Sequence, residues 1–444
     1  MIKRQRCRLL LTGILASGIF SVSTHAQCAA LEESIHTLFC QAERSNATLR
    51  TLSDAVSESQ AGVATAKGEW LPEITGQASV AYLGDARLWN RHFGESTAAP
   101  MPHFGNNFAL RAQQTVYSGG AITNGIRMAR QQQQMAELNA DKARLDVRLL
   151  IVGLYMQLHS LGNSQTVYDT NARLASRLIE QMRKRHEQGV ALRNDITRYE
   201  LQLQQLLLGS STMADRRNIV EHQLLTALGA ADGAFSLRIL PDSCLAAILL
   251  PEADEEEWHR RAMQHVSLQK ADLAFSMSRT QERLERSAMI PKIAVVAEDH
   301  LDGPITVEVP PVNKNLNYWY VGLGVSYNFS SLYKNRRKLR QAEASTVVAK
   351  DRQTLTMEHV DDAVHEAYVC LGTARTELAT QQKSVQLATE NYEVVARRYE
   401  NGLAIITDLT DAANMKLSAE LALANARIEL LYAYFKLKYA AGEL

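Results

Sequence analysis

The sequence predicts a mainly α-helical chain that carries a transmembrane β-barrel and is built from a duplicated unit of helix, strand, strand, long helix and helix. Three observations predict it. Trp319, Val321, Leu323, Val325, Tyr327 and Phe329 alternate with Tyr320, Gly322, Gly324, Ser326 and Asn328, so a strand there has one apolar face and one small or polar face. From Ser331 to Glu400 there is no proline and a single glycine, and Leu339, Ala342, Val364, Tyr368 and Leu371 recur at helical spacing; such a helix is roughly 100 Å long at 1.5 Å per residue. Both features have a counterpart earlier in the chain.

Composition narrows the field. The 444 residues carry 48 basic and 48 acidic side chains, so nothing in the charge balance points to nucleic acid or an acidic substrate. Nine prolines and long Ala, Leu, Gln and Glu runs favour extended helices over several globular domains. Lys3, Arg4, Arg6 and Arg8, the apolar Leu9 to Val22 and Thr24-His25-Ala26 read as a signal peptide over residues 1–26. Gln27 before Cys28 argues against lipidation. The mature chain has no run of about 18 apolar residues, so membrane residence would have to come from strands. Cys28, Cys40, Cys244 and Cys370 follow no metal-type spacing; one disulfide among the first three, or unpaired thiols, are both open readings.

In order, residues 27–237 form the first repeat. A helix is expected over roughly 29–70, ended by Pro72. Strands are expected at about 73–83 and 107–117, separated by an irregular loop from Gly84 to Asn106. A long helix should run over about 121–188 to a turn at about 187–194, and helix should resume to Leu228. Residues 238–266 read as a compact connector, in which Asp254 to Glu257 ahead of Trp258 look like an acidic first helical turn. The second repeat, 267–444, has strands at about 292–300 and 318–329, a long helix over about 331–400 and a turn at about 400–407.

The duplication rests on residues. Thr48-Leu49 and Pro72 return as Ser267-Leu268 and Pro291, and Val116-Tyr117-Ser118 as Asn328-Phe329-Ser330. Gly189 and Gly229 return as Gly402 and Gly442 with the same internal spacing. Each chain thus offers four strands. An open four-stranded sheet leaves unpaired backbone at two edges, which lipid does not tolerate. Two chains would close an eight-stranded barrel filled by side chains, whereas three would close twelve strands around an aqueous lumen. A homotrimer is the simplest closure.

The join Gln114-Thr115-Val116-Tyr117-Ser118-Gly119-Gly120 and the segment from Arg398-Tyr399-Glu400-Asn401-Gly402 to Asp408-Leu409-Thr410-Asp411-Ala412 resemble the TolC-like outer-membrane efflux proteins, across essentially the whole mature chain. The resemblance implies a trimeric 12-strand β-barrel in outer-membrane lipid, continuous with a 12-helix periplasmic α-barrel. It implies a passive exit duct for a tripartite efflux pump or type I secretion system, gated at its periplasmic tip. The implied partners are a periplasmic adaptor (membrane fusion) protein and an inner-membrane transporter of RND, ABC or MFS type. The gate residues it implies are Asp195, Asp408, Asp411 and Tyr399; three copies of one carboxylate round a narrow mouth would attract cations and raise one another's pKa. For Asp195 and Asp408 the competing reading is helix capping. The family's arginine two positions after the tip glycine is Ala404 here, so its particular closing bonds do not carry over. Gly189, Val190, Gly402 and Leu403 mark tip turns that serve folding alone or adaptor contact.

Other motifs carry less. Gly119-Gly120 lacks the lysine of a phosphate loop and reads as a strand-to-helix bend. Asp361 and His365 have metal-capable spacing but read as a solvated helix face. No HExxH or nucleophile-elbow motif occurs, so no enzyme, cofactor or metal is expected. The rival class is a soluble periplasmic coiled-coil scaffold or adaptor.

Overall fold

A computed structural model describes residues 34–190, 192–230, 253–307 and 311–444. Residues 1–26, read as a signal peptide, Cys28, Cys244 and most of the segment read as a connector lie outside the described residues. Helix α1 covers residues 34–45, α2 Ala47–Gly68, α3 Ala121–Glu187, α4 Arg193–Ala227, α5 Glu255–Ala262, α6 Val266–Ser287, α7 Ser331–Glu400 and α8 Ile406–Ala440. The strands are β1 (Glu73–Tyr82), β2 (Ala86–Trp89), β3 (Ser96–Ala99), β4 (Phe104–Tyr117), β5 (Lys292–Gly303) and β6 (Leu316–Ser326). The fold is mainly helical with a small share of antiparallel sheet, the class the periodicities indicate.

Two compact units divide the chain. One draws on Ser53–Asn139 and Gln269–Thr356 and holds an antiparallel sheet in the order β1-β4-β5-β6. Its register separates two faces. Ile74 pairs with Ala112, Leu110 with Asp299, Ala297 with Val321 and Val295 with Leu323, and Ile74, Leu110, Trp319, Val321, Leu323 and Val325 on this face are all exposed. A soluble monomer rarely leaves so large an apolar patch uncovered. The opposite face is polar. Arg111 Nε lies 3.0 Å from Glu298 Oε1, His300 Nε2 lies 2.9 Å from Glu298 Oε2, and Tyr318 stacks on His300 at 4.9 Å. The sequence alternation thus sorts apolar from polar side chains across all four strands.

The other unit draws on Met1–Leu52, Ala140–Leu268 and Met357–Leu444. Tyr155, Ile151, Leu224, Leu228 and Leu431 centre one apolar cluster, and Trp258, Val364 and Leu437 a second. The third gathers Ile179 and Met182 of α3, Ile196 and Leu206 of α4, and Ile406 and Leu409 of α8. These positions recur at three- and four-residue spacing, which puts them on one stripe of each helix.

The structure corrects three expectations. The helix read over 29–70 is interrupted at Asn46, which is buried; its Nδ2 donates to the Ala227 carbonyl at 2.7 Å and its Oδ1 accepts the Leu49 N–H at 3.1 Å. Asn46 therefore caps α2 and fastens the break to the end of α4. The segment 84–106 holds the hairpin β2–β3, Ala86 paired with Ala99 and Trp89 with Ser96. Tyr327 and Phe329 lie beyond β6 and pack edge to face at 5.0 Å, so they are not part of its apolar face. Among the described residues Cys40 and Cys370 are free thiols.

Candidate tip site

The two long helices each end in the same way. Gly189 has φ 75° and Gly402 φ 73°, a left-handed conformation in which an L side chain costs about 1–2 kcal/mol. Gly189 N–H donates to the His186 carbonyl at 2.8 Å and Val190 N–H to the Arg185 carbonyl at 2.9 Å. Gly402 and Leu403 repeat the pair onto Tyr399 at 3.0 Å and Arg398 at 2.8 Å. This is the Schellman stop, which satisfies the last carbonyls of a helix and reverses the chain. Gly229–Ala230 and Gly442–Glu443 end α4 and α8 with the same bonds. The duplication seen in the sequence is therefore a duplication of backbone hydrogen bonds. Val190 and Leu403 stand exposed on the two turns.

Where α3, α4, α7 and α8 share their apolar cluster, polar side chains tie one repeat to the other. Tyr399 Oη donates to Asp195 Oδ2 at 3.4 Å. Burial, and then the Asp195 charge, hold the Tyr399 phenol above its usual pKa, so it stays protonated as the donor. Arg185 Nη2 donates to the Glu400 carbonyl at 2.7 Å, and Arg198 Nη1 to Thr407 Oγ1 at 2.9 Å. One helical turn inward the Tyr199 hydroxyl donates to Tyr392, both phenols pushed up mainly by burial.

The proposed gate residues thus differ in surroundings. Asp195 sits in the first turn of α4, but the N-cap Leu192 receives no side-chain cap and the Asp195 carboxylate meets Tyr399 instead. Asp408 accepts the Ile405 N–H at 3.3 Å, which is the capping role, and it remains exposed. Asp411 stands exposed on the next turn of α8. The arginine cross-links were not read from the sequence. The repeat sets Arg185 and Arg198 at the positions that Arg398 and Asp411 hold in the second half, which does not indicate what they reach.

In the sheet-bearing unit, Gly119 (φ 62°) and Gly120 (φ 87°) stand between β4 and α3. A Cβ at Gly119 would lie 2.7 Å from Ile290 Cβ, so both backbone and packing require glycine there. This is a strand-to-helix bend and not a phosphate loop.

Asp361 and His365 lie on an exposed helix face, as the spacing suggests, and also reach a neighbouring helix. His365 Nδ1 lies 2.6 Å from Glu255 Oε1 and Asp361 Oδ1 lies 2.7 Å from His259 Nδ1, so both are engaged with α5.

Residues 261–443 match the family model described as outer membrane efflux protein. The chain is 20% identical over 420 residues to the outer membrane efflux protein BepC of Brucella suis biovar 1 (strain 1330), covering 94% of this chain and 87% of that protein. Its fold matches the outer-membrane channel OprN with a TM-score of 0.78 at 17% identity, over 93% of this chain and 90% of that one. It matches the outer membrane protein VceC of Vibrio cholerae with a TM-score of 0.76 at 14% identity, over 92% of this chain and 96% of the other. Together with the exposed apolar sheet face and the paired helical tips, these likenesses converge: residues 261–443 match the outer membrane efflux protein family, and the chain has the fold of outer-membrane channel proteins such as OprN and VceC.

Proposed function

We propose that three copies of this chain form a passive exit duct, closed at its periplasmic tips and opened when those tips dock with a periplasmic adaptor bound to an inner-membrane transporter. The observation that carries this reading is the sheet, with one uncovered apolar face and open edges at β1 and β6. Its strands alternate in direction, so β6 of one copy pairs antiparallel with β1 of the next. Twelve strands then close with every backbone group satisfied and room for a lumen.

At the tip, Asp195, Asp408 and Asp411 supply the carboxylates of the mouth. The Tyr399–Asp195 and Arg185–Glu400 links hold the second helical pair against the first. Gly189, Val190, Gly402 and Leu403 form the surface an adaptor meets. Docking opens the duct by exchanging these within-chain links for contacts with the adaptor.

Planar-bilayer recording tests this reading. Wild-type trimers are expected to show a small conductance. The Tyr399→Phe, Arg185→Ala double variant should raise it several-fold, because it removes two ties and leaves the helix stops intact. Absence of conductance in the double variant and in an Asp195→Asn, Asp408→Asn, Asp411→Asn triple variant would contradict the duct.

A further inference from the structure

Glu255 and His259 stand one turn apart on α5, and Asp361 and His365 one turn apart on α7. The two pairs meet. Glu255 Oε1 lies 2.6 Å from His365 Nδ1 and 3.4 Å from His259 Nε2, and His259 Nδ1 lies 2.7 Å from Asp361 Oδ1. Both ring nitrogens of His259 thus face carboxylates. With Nδ1–H donated to Asp361, Nε2 is the nitrogen left for a metal, the arrangement in which a carboxylate orients a metal-ligating imidazole.

We propose that Glu255, His259 and His365 form a site for a divalent transition-metal ion, with Asp361 as the positioning residue behind His259. Two imidazoles and a carboxylate suit Zn²⁺, Co²⁺ or Ni²⁺, whereas Ca²⁺ and Mg²⁺ take oxygen sets. Bonds of about 2.0–2.2 Å place tetrahedral donors about 3.3 Å apart. The Glu255–His259 separation already meets that spacing, and the Glu255–His365 hydrogen bond has to lengthen by under an ångström as the ion replaces its proton. As placed, no three such groups among the described residues converge on one point. His365 is exposed, so its ring is free to turn toward the other two donors. Buried Trp258 and Ala262 of α5 pack in one cluster with Val364 of α7, the residue just before His365, which holds the two helices together beside the site. A bound ion would then staple α5 to α7. The site does not depend on transport, and its test needs no channel activity.

Detergent-solubilised full-length protein, stripped with chelator, is titrated with Co²⁺ and read by its visible absorption, then back-titrated with Zn²⁺. The expected result is one equivalent of Co²⁺ per chain with bands displaced by Zn²⁺. His365→Ala and His259→Ala should abolish it, and Asp361→Asn should weaken it about 10–100-fold. Exposed His359→Ala should leave it unchanged. His365 and Glu255 contribute little to the apolar clusters, so His365→Ala and Glu255→Gln keep the test open if His259→Ala fails to fold. Absence of saturable Co²⁺ binding, or binding that survives His365→Ala and Glu255→Gln, overturns the proposal.

Discussion

Gly229→Ala is expected to destabilise the helical unit by about 2–5 kcal/mol, strain and overpacking combined. Gly229 has φ 67°, so alanine there meets the left-handed penalty of about 1–2 kcal/mol. Its Cβ would also lie 2.3 Å from the Ser45 carbonyl oxygen. That atom is backbone, next to the buried Asn46 that binds the Ala227 carbonyl, so it cannot swing aside as a flexible side chain would. The repeat supplies its own controls. Gly189 and Gly402 end their helices with the same hydrogen bonds and a similar φ, yet a Cβ at either finds open space. Gly189→Ala and Gly402→Ala should therefore cost only the strain, about 1–2 kcal/mol. At Gly442 the nearest atom to a Cβ is His265 Cδ2 at 3.2 Å, which places Gly442→Ala between the two. Chemical denaturation of the four variants checks the order; equal losses at Gly229 and Gly189 would show that Ser45 gives way.

The second large effect concerns the sheet. Leu323→Arg sets a guanidinium on the exposed apolar face, opposite Val295. If that face meets lipid, each copy costs about 2–4 kcal/mol near the bilayer midplane. Membrane-integrated protein should fall several-fold. Gln77→Arg, on the polar face and opposite Ala109, should leave the yield near wild type. The comparison is read from detergent-extracted membranes after a salt wash. Equal yields for the two arginine variants would mean that the apolar face does not meet lipid.

The legible parts of this fold are those where periodicity is long and unbroken. The alternation from Trp319 to Ser326 and the proline-free run from Ser331 to Glu400 marked β6 and α7 because one face of each has a single environment along its length. The break at Asn46 was illegible. A single asparagine inside a helical pattern is no breaker, and its partner at Ala227 is 181 residues away. The β2–β3 hairpin escaped notice because its strands are four residues each, too short to show alternation, in a segment containing Pro100 and Pro102.

At the tip the glycines were readable from local sequence, since the left-handed stop needs them. The cross-links of Arg185 and Arg198 were not, because they depend on how the two repeats meet. Asp361 and His365 show the same limit. Each looks solvated on its own helix, and only the packing of α5 supplies the partners.

The central claim is twelve-strand closure by three chains. It is tested most directly by the mass of the detergent-solubilised particle after subtraction of bound detergent. With a full chain of 49.4 kDa and removal of the proposed signal peptide, closure predicts a value near three chains, about 140 kDa, because twelve strands leave no open edge in lipid. A particle of one or two chains that keeps its mass without detergent would contradict it, since the sheet's apolar face and its β1 and β6 edges would then need some other cover.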